Sequence, residues 1–169
     1  MTIEIERKWL VDLDKIGARF FLDNGVSPPS AIKQGYLSRG DTTVRARLGH
    51  DLEYERAYLT IKGKSDGLSR SEFEYKIPMD DALLFEMCEG KLEKRRYVIP
   101  YAYQRIELDV FGGDLDGLVL AEVEFKTEDI EKHFIDPSWS SKEVTNDNRY
   151  ANSKLTNFEC KKSIGDENV

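Results

Sequence analysis

The stretch Ile3-Glu4-Ile5-Glu6-Arg7-Lys8-Trp9-Leu10 alternates charged and apolar side chains near the start of the chain. Because successive side chains of a β-strand point to opposite faces, Glu4, Glu6 and Lys8 would share one face. Two carboxylates two residues apart on a strand stand about 6–7 Å apart, close enough to converge on one hard cation. A solvated face of an amphipathic strand has the same pattern, so the rest of the chain must decide between the two interpretations.

The composition predicts a single globular domain over residues 1–169. With 40% hydrophobic and 34% charged residues, the chain is long enough for one packed core and too short for two large domains. No apolar run approaches the roughly 18 residues that a membrane span needs, and the charged first residues do not fit a secretion signal. We therefore expect a cytoplasmic protein that makes no membrane contact.

The charged residues, not the cysteines or histidines, are the candidates for chemistry. The net charge of −7 argues against a broad nucleic-acid or anionic-membrane surface. Cys88 and Cys160 are too far apart to suggest a redox pair, and we expect both to be reduced packing residues. His50 and His133 have no Cys or His neighbour at ligand spacing, which disfavours zinc catalysis and a histidine triad.

Period-2 alternation recurs along most of the chain and predicts a sheet of about eight antiparallel strands. The predicted strands cover residues 3–11, 32–38, 43–48, 57–62, 69–77, 94–98, 103–111 and 118–125. Helical spacing favours helices at 13–23, 79–90 and 148–161. Strands dominate the middle of the chain, so the pattern is typical of an α+β fold.

Nearly every predicted strand carries long charged side chains of both signs on one face. Beyond the opening stretch, these residues are Arg45, Arg47, Lys62, Arg70, Glu72, Glu74, Lys76, Lys94, Arg96, Arg105, Glu107, Asp109, Glu122 and Glu124. The run 122–126 repeats Glu-x-Glu-x-Lys with the spacing of the first copy. An ordinary wet sheet face mixes charge with Ser, Thr, Asn and Gln, so this pattern favours a specialised surface.

Closure of such a sheet would gather the charged faces around one interior. Unpaired ions resist burial, so that interior must stay hydrated and bind ions of both signs. Carboxylates would hold Mg2+ or Mn2+, while Arg and Lys would hold a polyanion such as a small triphosphate. The pattern therefore indicates phosphoryl or nucleotidyl transfer.

The chain resembles the CYTH domains, also called triphosphate tunnel metalloenzymes, whose hallmark is an N-terminal ExExK, here Glu4-Ile5-Glu6-Arg7-Lys8. The likeness continues through residues 34–37, 44–47, 59–63, 69–74, 94–97, 117–124, 143–145 and 149–150. One such block would mean little, but all of them in order make the resemblance specific.

The resemblance implies a closed antiparallel eight-stranded β-barrel, the triphosphate tunnel, with flanking helices. Members hydrolyse inorganic triphosphate, thiamine triphosphate or nucleoside triphosphates, or cyclise ATP to cyclic AMP. The leading interpretation is a metal-dependent hydrolase that converts inorganic triphosphate to pyrophosphate and phosphate. The alternatives are an adenylate cyclase, a thiamine or nucleoside triphosphatase and a non-catalytic polyphosphate-binding module. The sequence leaves a homodimer open.

The resemblance also implies roles for the charged residues. The expected phosphate-binding residues are Lys8, Arg45, Arg47, Lys62, Lys94 and Arg96. The expected ligands of Mg2+ or Mn2+ are Glu4, Glu6, Glu122 and Glu124. The expected catalytic residues are Glu72, Glu74, Asp109 and Lys94, while Arg70 and Lys76 are expected to neutralise neighbouring carboxylates. Glu107 shares the charged face by alternation alone.

Overall fold

A computed structural model describes residues 5–50, 54–64 and 71–157 of the chain. The strands are β1 (Ile5–Val11), β2 (Ser30–Arg39), β3 (Thr43–His50), β4 (Glu55–Lys62), β5 (Glu72–Ile77), β6 (Gly90–Tyr101), β7 (Gln104–Phe111), β8 (Val119–Phe125) and β9 (Ser140–Glu143). The α-helices are α1 (Leu13–Ile16), α2 (Ala18–Asp23), α3 (Glu128–Lys132) and α4 (Asn152–Leu155), and 3₁₀ helices span Met79–Met87, Gly113–Leu115 and Asn148–Tyr150. Within the three described ranges, no helix combines the length and apolar character needed to cross a membrane.

The strands form one antiparallel sheet in the order β5-β4-β3-β2-β6-β7-β8-β1-β9. The expected closed eight-stranded barrel was wrong on two points, because the sheet has nine strands and the described pairings do not join its ends. The extra strand explains the difference: β9 pairs with the edge of β1 that closure would need. Among the described residues, β5 pairs with β4 alone.

A hydrophobic core covers the outer face of the β6–β7–β8–β1 part of the sheet. Trp9, Leu108 and Val123 are buried there and pack with residues such as Ile16 from α1 and Trp139. These positions alternate along their strands with charged ones, as the period-2 pattern predicts. The helical connections therefore bury the apolar face and leave the charged face to the other side.

A second apolar cluster lies at one end of the charged face. Phe111 and Leu120 belong to that face by alternation, and they pack with Leu92, Tyr150 and Leu155. Leu155 comes from α4, and it is fully buried. The segment that ends in α4 therefore covers one end of the concave side of the sheet.

The predicted helices are shorter and more irregular than their spacing suggested. Gly17, with a φ of 68°, separates α1 from α2 within the predicted helix 13–23. The segment predicted as a helix at 79–90 is 3₁₀ from Met79 to Met87, and it buries no residue that would favour a full α-helix. In place of the predicted helix at 148–161, the structure has the short helices Asn148–Tyr150 and α4. The part of this prediction beyond residue 157 lies outside the described residues.

Candidate functional site

The concave face of the sheet encloses a cavity of about 940 Å³. Residues from every strand between β1 and β8 border it, which means that the sheet curves until its two halves face one space. The charged residues named from the sequence that line it are Glu6, Lys8, Arg45, Arg47, Lys62, Glu72, Glu74, Lys94, Arg96, Arg105, Glu107, Glu122 and Glu124. The structure thus brings most of the predicted site residues together.

Four predicted residues are placed otherwise. Glu4, an expected metal ligand, and Arg70 lie outside the described residues. Asp109 is completely buried beneath the cavity wall and does not line the cavity. Lys76 is exposed and does not line the cavity either.

The two Glu-x-Glu motifs meet across the β1–β8 pair. In this register Glu6 lies opposite Glu124, and Lys8 lies opposite Glu122. The Lys8 ammonium is 2.9 Å from the Glu122 carboxylate and 3.7 Å from that of Glu6. Like charges directly opposite each other destabilise an antiparallel pair, so the Glu6–Glu124 position favours a bound cation.

The charges at this pair hold each other in the ionised form. Burial lowers the pKa of Lys8, but the negative charges of Glu122 and Glu6 outweigh it, and the pKa is raised. Burial raises the pKa of Glu122, but the positive charges of Lys8 and Lys94 outweigh it, and the pKa is lowered. Lys8 and Glu122 are therefore both charged at neutral pH.

A buried ion network joins β6 to β7. The Lys94 amine donates a hydrogen bond to Asp109 Oδ2 at 2.5 Å. Arg96 donates from Nε and Nη2 to the two oxygens of the same carboxylate, each at 2.7 Å, and it also binds Glu107. The Lys94 amine lies 3.4 Å from Asn152 Oδ1 of α4. Asp109 therefore fixes two cations whose other sides face the cavity.

Burial and neighbouring charge act against each other in this network. Burial raises the pKa of Asp109, but the cations of Lys94 and Arg96 outweigh that effect, and the pKa is lowered. Burial lowers the pKa of Lys94, and the negative charge of Asp109 offsets this only in part. Asp109 consequently remains a carboxylate that needs both of its cations.

The opposite wall of the cavity pairs β3 and β4 with the acids of β5. Glu74 accepts hydrogen bonds from Arg45 at 3.3 Å, from Arg47 at 3.1 Å and from the Thr60 hydroxyl at 3.0 Å. Lys62 lies 2.8 Å from Glu72. The acids of this edge strand therefore form ion pairs with the cations of β3 and β4.

The arginines of this wall still have capacity for an anion. Among the described residues, Nε of Arg45 is the buried side-chain polar atom that lacks a hydrogen-bond partner. Burial lowers the pKa of Arg47, and the positive charge of Arg45 lowers it further. A buried donor without an acceptor is costly, and a guanidinium fork matches the oxygens of a phosphate. This wall therefore fits an oxyanion.

The acids of the β1–β8 pair fit a hard divalent cation that also binds the ligand. In the described part of the chain, no three Asp, Glu, His or Cys side chains converge into a group that could hold a metal ion unaided. Mg2+ usually takes one or two carboxylates, several waters and substrate phosphate oxygens instead of a full protein cage. Glu6, Glu122 and Glu124 supply carboxylate oxygens of the type that Mg2+ and Mn2+ prefer.

The cavity also contains uncharged polar residues that the sequence did not identify as site residues. Gln34 and Tyr36 of β2 are buried in its wall, where the Gln34 amide donates a hydrogen bond to the Tyr36 hydroxyl at 3.0 Å. Both belong to the 34–37 block of the resemblance, which was the available signal. Asn152 reaches the cavity because α4 folds back over one end of the cavity, and no local sequence pattern predicts that contact.

Comparisons with known proteins agree with this geometry. The CYTH domain matches residues 2–151 of the chain. A protein of Acetivibrio thermocellus named inorganic triphosphatase is 40% identical over 159 residues, which cover 92% of this chain and 94% of the relative. A protein of Nitrosomonas europaea with the same name is 40% identical over 157 residues, covering 90% and 95%. The crystal structure of an inorganic triphosphatase superposes with a TM-score of 0.64 at 34% identity, over 92% of this chain and 95% of the other.

Proposed function

Because this chain belongs to the CYTH domain family, we propose that it is a divalent-metal-dependent hydrolase that cleaves inorganic triphosphate to pyrophosphate and phosphate. The observation that carries the proposal is the convergence of cations from β1, β3, β4 and β6 on one cavity that also holds carboxylates. A linear triphosphate bound with a divalent cation matches both sets of charges. The names of the two relatives at 40% identity support the inorganic substrate.

The cations of the cavity would bind the phosphate oxygens. We assign this role to Lys8, Arg45, Arg47, Lys62, Lys94 and Arg96, all of which line the cavity. Arg45 and Arg47 of β3 provide fork-shaped donors, and Lys8 of β1 provides a compact charge on the other half of the sheet. Lys94 of β6 lies between them in the strand order. This distribution of cations supports a chain of phosphates that lies between the two halves of the sheet.

The carboxylates of the β1–β8 pair would hold the divalent cation, either Mg2+ or Mn2+. We assign Glu6, Glu122 and Glu124 to this site, together with Glu4, whose position lies outside the described residues. When bound, the ion supplies charge neutralisation on the phosphate oxygens that the carboxylates cannot supply. Arg96 lies 3.9 Å from Glu122, and that contact would hold the carboxylate beside the phosphate-binding cations.

The reaction replaces a bridging oxygen with the oxygen of a water molecule on a terminal phosphorus. The bond to the bridging oxygen breaks in line with the attacking water, and pyrophosphate leaves. Phosphate oxygens would replace Glu74 and Glu72 as the partners of Arg45, Arg47 and Lys62. The two carboxylates would then accept hydrogen bonds from this water, and we assign them to its orientation. Lys94 would stabilise the developing charge, and Asp109, which lies beneath it, would hold Lys94 in place.

Phosphate release from three substrates tests the proposal. Tripolyphosphate, thiamine triphosphate and ATP would each be supplied with Mg2+, with Mn2+ and with a chelator. We expect tripolyphosphate to give pyrophosphate and phosphate with the highest kcat/KM, and we expect the chelator to abolish turnover. Cyclic AMP formed from ATP would establish the cyclase instead, and tight tripolyphosphate binding without product would establish a binding module.

A further inference from the structure

The hairpin turn at the mouth of the cavity has an unusual backbone. β6 and β7 are joined at the Tyr101–Gln104 pair, so Ala102 and Tyr103 form a two-residue loop. Their φ angles are 45° and 64°, and they are the described non-glycine residues with positive φ. Two-residue hairpin loops require such angles and favour Asn-Gly or Asp-Gly, since a side chain in this region costs about 1–2 kcal/mol per residue.

This turn presents a tyrosine ring to the cavity entrance. Tyr103 is fully exposed to solvent, and yet it borders the cavity together with Gln104 and Arg105. Burial of the ring therefore does not compensate for the backbone cost. Strained residues cluster where the strain positions a side chain for a ligand.

The distance from the phosphate-binding residues to this turn leaves room for more than a triphosphate. Five residue steps of β6 separate Arg96 from Tyr101, or about 17 Å at roughly 3.4 Å per residue. The strand registers place Lys8 level with Val98, three steps or about 10 Å from the turn. The cavity volume of about 940 Å³ lies within the range of pockets that hold drug-sized organic ligands. Lys94 and Arg96 lie several residues from the turn, whereas Arg105 and the aromatic ring of Tyr103 lie at it.

We propose that Tyr103 is a specificity-determining residue that stacks on the planar organic group of triphosphate monoesters at the cavity mouth. This inference rests on the proposed triphosphate hydrolysis and assigns to one residue of that same site the discrimination between inorganic triphosphate and triphosphate esters such as nucleoside triphosphates. The phosphate chain would occupy the cationic part of the cavity, and the organic ring would lie against the phenol. Arg105, beside Tyr103 on the cavity wall, would add a guanidinium group next to that ring.

The test separates the ring from the turn that carries it. Asn tolerates positive φ, so Tyr103→Asn removes the ring and keeps the backbone, while Tyr103→Phe keeps a ring. We expect Tyr103→Asn to lower kcat/KM for ATP at least about fivefold more than kcat/KM for tripolyphosphate, and Tyr103→Phe to leave the ratio of the two close to the wild-type value. Tyr75→Asn is the matched control, because Tyr75 is 54% exposed and does not line the cavity.

Inhibition gives a second measurement where ATP turnover is slow. The inhibition constant of ATP against tripolyphosphate hydrolysis should rise at least about fivefold in Tyr103→Asn. Equal losses on the two substrates, an unchanged ATP-to-tripolyphosphate ratio, or wild-type protein that neither cleaves nor binds ATP would overturn the role of Tyr103. Failure of the wild-type protein to cleave tripolyphosphate would overturn the proposed function itself.

Discussion

Lys8 and Glu122 face each other across the β1–β8 pair with their charged atoms 2.9 Å apart. The contact links two Glu-x-Glu-x-Lys motifs that lie more than a hundred residues apart in the sequence. It also puts Glu6 directly opposite Glu124. The pairing thus builds a carboxylate site from two motifs and places Lys8, a proposed phosphate-binding residue, beside that site.

Glu6→Gln should lower turnover of tripolyphosphate at least about tenfold, because an amide is a weaker ligand for a hard cation than a carboxylate. The side chain is 45% exposed, so the free energy of unfolding should change by less than about 1 kcal/mol. Steady-state kinetics over a range of Mg2+ concentrations would show the loss as a higher metal requirement.

Glu128→Gln is the control for Glu6→Gln. Glu128 lies in α3, does not line the cavity and has a side chain that is 68% exposed. Its substitution should leave both the kinetics and the metal requirement at wild-type values. Equal kinetics for wild-type and Glu6→Gln protein would remove Glu6 from the metal site.

Arg47→Ala should raise KM for tripolyphosphate by about tenfold or more, since a hydrogen bond to a charged group contributes about 1.5–3 kcal/mol. The concentration of Mg2+ that gives half-maximal rate should change much less, because Arg47 binds Glu74 on the wall opposite the β1–β8 pair. Arg56→Ala on the same β-hairpin does not alter a cavity residue and serves as the comparison. A metal requirement that rises as strongly as KM would argue against separate sites.

The charged face of the sheet was predictable because its signal is local. Alternation alone places Arg45 and Arg47 on one face of β3, and it does the same for Glu122 and Glu124 of β8. Each strand needs only its own sequence to define the two faces. The sharing of one cavity by these faces followed from sheet curvature, which the number of predicted strands suggested.

The open edge of the sheet was not predictable from the sequence, because it depends on β9. Ser140–Glu143 lacks apolar alternation, so nothing in its sequence indicates a strand. Tertiary contacts hold it instead: Arg7 donates hydrogen bonds to Glu143, and the Lys8 amide donates to the Thr145 hydroxyl. The pairing of buried Asp109 with Lys94 and Arg96 was not predictable either. It depends on the register of β6 and β7, which places Arg96 opposite Asp109.

Asp109→Asn should lower the free energy of unfolding by about 3–5 kcal/mol, because it leaves the buried Lys94 ammonium without its countercharge. Urea unfolding measures the change. Lys94→Met in the Asp109→Asn background should recover part of the loss, since the double variant no longer buries an unpaired ammonium. Glu86→Gln, which removes an exposed ion pair with Lys91, should cost less than about 1 kcal/mol.

The stability of the protein should also depend on pH through Asp109. In the folded protein the pKa of Asp109 is lowered, because the positive charges of Lys94 and Arg96 outweigh the effect of burial. In the unfolded chain an aspartate has a pKa of about 4. A lowered carboxyl pKa contributes stability that is fully present above the unfolded pKa and is lost as the pH falls through the folded pKa. The free energy of unfolding should therefore decline more steeply below about pH 4 in the wild-type protein than in Asp109→Asn. Urea unfolding at a series of pH values gives both curves, and parallel curves in that window would mean that Asp109 does not hold a lowered pKa.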